Sequence, residues 1–226
     1  MRFGALESLK PRRLAARPLC AKSTPMSEQD WFRNIEWNAT IEKEFYQKLN
    51  RSRSQRDQYL VIQALSLSKN HPKVTLRLVD EYFEIRKSDF DYNRALLAQA
   101  NAYLSLSDID NAIDTYKSII EREAIHPNQL SGTHVDYPFL VATNEIKDEY
   151  ENAVKVLNET KDRCTFPVDH FKWHASIALI MNDKNEALKA LEMAGKDHSG
   201  FNYHKSLGLV GPEHKATIKK LNSIGT

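Results

Sequence analysis

Glycine and proline are scarce over most of this chain. No glycine occurs from Leu6 through Ser131, and Pro72 is the only proline between Met26 and His126. So few breakers over a hundred residues argue against a hairpin-rich sheet protein and favour helices. Cysteine is almost missing. With only Cys20 and Cys164, a disulfide framework and a cysteine-based zinc cluster are excluded, and a reducing cytoplasm is the expected compartment. No stretch approaches the roughly 18 apolar residues of a membrane span. There is no glycine-rich phosphate loop, no Gly-x-Ser-x-Gly elbow and no His-Glu-x-x-His. Neither catalysis nor a cofactor is expected.

The charge that is present is unevenly placed. The whole chain of 226 residues carries +2, yet residues 1–25 hold six basic residues against Glu7 alone. Taking that +5 away leaves the remainder at −3, so a general nucleic-acid-binding surface is not expected. The basic stretch has three readings. It is a transit peptide, a basic arm for nucleic acid or membrane, or an extension ahead of a start at Met26. Hydrophobic residues at 41% and charged residues at 27% are the balance of a folded domain rather than a disordered one.

From residue 26 onward the apolar pattern has helical spacing. Tyr59, Leu60, Ala64 and Leu67 recur at three and four residues, and so do Leu76, Val79, Tyr82 and Phe83. Pro72 fits the first turn of a helix, where its missing N–H is not needed. Asp108 and Asp183 fit N-caps. The string Leu-Ser-Leu-Ser occurs at 65–68 and again at 104–107. After each comes a turn and a second helix with a small residue near its start. Those small residues, Thr75, Ala112, Ala153 and Ala187, are separated by 37, 41 and 34 residues. A helix pair recurring at such a period is the signature of a helical repeat.

The unit resembles a tetratricopeptide repeat. The second unit carries the likeness best, through Leu96, Ala100 and Tyr103, then Ile109, Ala112, Tyr116 and Ile119, with Ser107 where the family prefers glycine. The fourth follows through Phe171, Ala175, Ala178, Ala187, Leu191 and Ala194. Tyr150 and Ala153 carry the third, and Leu60, Thr75 and Val79 the first. The family's closing proline is missing from the second and fourth units, so the array is degenerate. The resemblance implies an all-α, right-handed helical solenoid of about four helix-turn-helix units. These units occupy residues 55–196. An N-terminal capping region lies at 26–54, and a loop with a C-terminal capping helix at 197–226. Two irregular connections are expected, at Glu123–Pro138 and Ala194–Gly211.

The resemblance also implies a concave groove for a protein or peptide partner, lined by the first helix of each pair. Carried onto this chain, the groove residues are Gln58, Arg94, Leu97, Asn101, Lys172 and Ser176. A full carboxylate clamp is not present, because the third unit offers only Pro138 and Ala142. The expected function is therefore a non-catalytic adaptor or scaffold. An antitoxin-like or immunity-type binding protein is a narrower version of it. The alternative from another class is a metal site at His170 and His174, which stand four apart on one helix face beside Asp169. Cys164 is expected to be a packing residue rather than a nucleophile.

Overall fold

The computed structural model describes residues 30–225, so the basic stretch 1–25 lies outside the described residues. Ten α-helices follow one another: α1 (Ala39–Arg51), α2 (Arg56–Leu67), α3 (Pro72–Ile85), α4 (Tyr92–Ser105), α5 (Ile109–Ile125), α6 (Thr133–Thr143), α7 (Tyr150–Glu159), α8 (Pro167–Met181), α9 (Lys184–Ala194) and α10 (Lys215–Gly225). There are no strands among the described residues. No helix among them is long and apolar enough to cross a membrane.

Each helix packs on its sequence neighbours. The pairs α2–α3, α4–α5, α6–α7 and α8–α9 are in close contact, and each pair touches the next through α3–α4, α5–α6 and α7–α8. The expected small residues sit where the two helices of a pair approach. Thr75, Ala112, Ala153 and Ala187 are all fully buried near the start of a second helix. A larger side chain there would force the helices apart. Polar contacts also link residues more than thirty positions apart. Arg77 pairs with Glu42, Asn93 with the Gln129 carbonyl, Arg122 with Asp89, Lys117 with Glu149 and Lys172 with Asp136, at separations of 35, 36, 33, 32 and 36 residues. Of these, Lys172–Asp136 joins the first helices of two successive pairs, α8 and α6, while the others reach α1, a loop or the turn ahead of α7.

The turns inside the later pairs share one design. Ser107, Glu145 and Asn182 adopt φ values of 61°, 58° and 53°. The next residue then donates its N–H to the carbonyl five positions back. These bonds run from Asp108 to Tyr103 at 2.9 Å, Ile146 to Val141 at 3.0 Å and Asp183 to Ala178 at 3.2 Å. A left-handed residue followed by this bond satisfies carbonyls that the helix end leaves open. The caps fall where the sequence put them. Asp108 accepts from the Asn111 N–H, Asp183 accepts from the N–H groups of Asn185 and Glu186, and Pro72 opens α3.

The ends are closed in two ways. Before α1, Trp31 and Phe32 cluster with Tyr59, at 4.9 and 4.5 Å between ring centroids. The buried Gln63 holds this segment with both ends of its amide, accepting from the Asn34 N–H at 3.1 Å and donating to the Asn34 carbonyl at 2.7 Å. At the other end α10 packs on α9 and α8, burying Leu221.

One expected connection is shorter than the sequence suggests. Of Glu123–Pro138, only 126–132 is irregular, because α5 runs to Ile125 and α6 begins at Thr133. Pro138 lies inside α6, where it removes one intrahelical bond. The burial of Val135, Tyr137 and Val141 on the same short helix offsets that loss.

The shared turn gives a first prediction. Changing Ser107 to Val forces a β-branched side chain into left-handed backbone and should lower unfolding stability by about 1–2 kcal/mol. Changing it to Gly should leave stability equal or higher. Urea titration of both variants checks this.

Candidate functional site

Small residues let some first helices of the pairs pack tightly. Ala95 and Ala98 of α4 belong to the apolar cluster built on α2 and α3. Ala175 and Ala178 of α8 share a cluster with Phe139 of α6. Between α4 and α6 the arrangement differs. These two helices lack the close backbone contact seen for α2–α4 and α6–α8. Bulky side chains stand in the gap: Leu104 from α4, Tyr116 from α5, and Phe139 and Leu140 from α6.

The result is an open depression of about 340 Å³. Its walls are apolar and its rim is polar, with Asn101, Asp136, Thr143, Lys172 and His214 around it. Asn101 is half-buried on α4, and its side-chain amide has no hydrogen-bond partner among the described residues. Lys172 Nζ meets Asp136 Oδ1 at 2.6 Å, joining α8 to α6 at the rim. Thr143 spends its hydroxyl on the Phe139 carbonyl at 2.6 Å.

His214 closes the α8 end. It reaches in from the segment ahead of α10 and lies between two rings, 5.3 Å from Phe139 and 5.1 Å from Phe171. Burial holds its pKa below the ordinary value, and the positive charge of Lys172 adds to that. Burial also pushes the Tyr116 phenol upward, so it stays a neutral donor.

Of the residues that the sequence nominated, Asn101 and Lys172 come together here. Leu97 is a partly buried member of the cluster beneath. Ser176 is buried, and its hydroxyl donates to the Lys172 carbonyl at 2.6 Å, so it offers nothing to a groove ligand. Gln58 lies half-buried on α2, away from this depression. Arg94 faces a second depression at the start of α4. Pro138 and Ala142 are buried.

Asp136, Phe139, Leu140 and His214 were missed. Asp136 had a usable signal, since it precedes Lys172 by 36 residues, close to the spacing of the small residues. Phe139 and Leu140 directly follow the connection expected to run to Pro138. His214 lies outside the segment read as helix pairs and carried no signal.

The two other chemistries stand as follows. His174 Nδ1 lies 2.5 Å from Glu186 Oε2, which ties α8 to α9. No group of three or more His, Cys, Asp or Glu side chains gathers as a metal set among the described residues. Cys164 is half-buried beside Val135, Leu157 and Trp173. Burial pushes its thiol up to about 11, with Asp169 adding to the shift. That is the opposite of an activated nucleophile.

Neither protein-family models, nor curated proteins, nor solved structures give a match to this chain.

His214 supplies a second prediction. Its folded pKa lies below the unfolded value of 6.5, so the unfolded chain takes up this proton first. Stability should therefore fall as pH drops from 6.5 through the folded value. A His214→Phe variant, which keeps a ring between Phe139 and Phe171, should lose that part of the decline. Thermal unfolding of both proteins between pH 8 and pH 5, at roughly one-unit steps, measures it.

Proposed function

We propose that the chain is a non-catalytic adaptor that holds a peptide segment of a protein partner in the depression between α4 and α6. The observation that carries this reading is the pairing of an apolar trough with an unengaged amide. Leu104, Phe139 and Leu140 form the trough, and Asn101 stands at its edge. Sites of this kind bury an apolar side chain of the ligand and fix its backbone with a few placed polar groups.

In this proposal the helix pairs form a solenoid of four tetratricopeptide-like units, with α1 and α10 as caps. The first helices α2, α4, α6 and α8 then line its concave side. Support comes from the repeated small residues, the repeated left-handed turns and the contact of each pair with the next. The setting assigned to it is the cytoplasm.

The reading is tested by capture on residues 26–226, beside an Asn101→Ala/Leu104→Glu double variant. A partner bound by the parent chain should be held about tenfold more weakly or worse by the variant, since one change removes the rim amide and the other puts a charge in the apolar trough. Circular dichroism must show the variant folded. Equal retention by both proteins would place binding elsewhere on the surface.

A further inference from the structure

Arg94, nominated for the groove, stands apart from it and beside an unusual piece of surface. It lines a depression of about 220 Å³ with Phe90, Asn93, Asn128 and Leu130. Phe90 is 70% exposed and Leu130 is 52% exposed. Ile125, which leads into the same 126–132 loop, is 72% exposed. Single exposed apolar residues are ordinary, but large ones gathered at one cavity mark interaction sites.

The walls of this depression are held firmly. Asn93 Nδ2 donates to the Gln129 carbonyl at 2.8 Å, and Arg122 Nε donates to Asn93 Oδ1 at 3.2 Å. Behind the loop, the buried carboxylate of Glu123 accepts from the Ser131 N–H at 2.6 Å and its hydroxyl at 2.8 Å. Arg163 meets the other oxygen of Glu123 at 3.3 Å. A loop fixed in this way loses little entropy on binding.

Of the side chains that line the depression, Arg94 carries the charge. Arg94 Nη1 donates to the buried Asp91 at 2.6 Å, which fixes the guanidinium. Its remaining N–H groups have no bond among the described residues, and a guanidinium carries five donors in a fork that suits a carboxylate. Asp89 is engaged by Arg86 at 3.2 Å and Arg122 at 3.5 Å. Three arginines against two aspartates leave this corner positive, although residues 26–226 are acidic as a whole.

We propose that the Arg94 depression is a second docking site, for a short protein segment in which an Asp or Glu adjoins a bulky apolar residue. The carboxylate sits on Arg94 while the apolar side chain lies between Phe90 and Leu130. The site is independent of the α4–α6 groove.

A displayed library of random peptides tests the idea, selected on the full chain and counter-selected on a Phe90→Ser variant. The expected result is enrichment of peptides with an acid next to Leu, Ile or Phe. Each should bind about tenfold or more weakly to Arg94→Gln and unchanged to Asn101→Ala. Both substitutions lie on partly exposed positions, and matched unfolding midpoints confirm that the variants fold. No enrichment over the Phe90→Ser control overturns the proposal. So do enriched peptides that lack an acid or are indifferent to Arg94→Gln. Peptides lost only with Asn101→Ala would report the groove instead and overturn this site alone.

Discussion

A pair of short amphipathic helices cannot cover both of its apolar sides by itself, and each pair in this chain is completed by the next. That requirement accounts for most of what the structure shows. It explains why every helix packs on its neighbours in sequence, and why the core is a row of linked clusters rather than one centre. It also explains why the ends need special treatment. The aromatic group of Trp31, Phe32 and Tyr59 covers one open side, and Leu221 of α10 covers the other. The close approach within each pair rests on four buried small residues, Thr75, Ala112, Ala153 and Ala187. Their size sets the distance that every other contact then assumes.

The groove follows from where that close packing is relaxed. Alanines let α4 approach α2 and let α8 approach α6. Between α4 and α6, Leu104, Phe139 and Leu140 stand in their place. Rings and branched chains hold the helices apart and leave their own surfaces accessible. The same departure from tight packing supplies both the space and the apolar lining. The polar rim is built differently. Lys172 and Asp136 satisfy each other across neighbouring units, so they contribute shape and orientation, while Asn101 keeps its hydrogen-bonding capacity unspent.

The fold was legible in the sequence to the extent that it depends on local chemistry. Helical spacing, the cap residues Asp108 and Asp183, Pro72 at a helix start and the recurring small residues all act within one or two turns of chain. The connection expected over Glu123–Pro138 came out too long, because burial of its neighbours keeps Pro138 inside α6. The site was legible only in part. Asn101 and Lys172, nominated through the repeat resemblance, line the depression. Ser176 follows Lys172 by about one turn yet is buried, and its hydroxyl is spent on the Lys172 carbonyl. Arg94 lies two turns from Asn101 and lines another depression. His214 could not be read at all, because its place between Phe139 and Phe171 is set by the path of a loop that no periodicity describes.

The gap between α4 and α6 bears on mechanics as well as on binding. On either side of it, α2 touches α4 and α6 touches α8. At this one joint the first helices scarcely touch, and the load passes through α5 against α6 and the side chains beneath them. With less backbone contact to oppose it, a change of angle at this joint meets less resistance than one between α2 and α4 or between α6 and α8. A change of angle there would widen or narrow the depression that lies between the two helices.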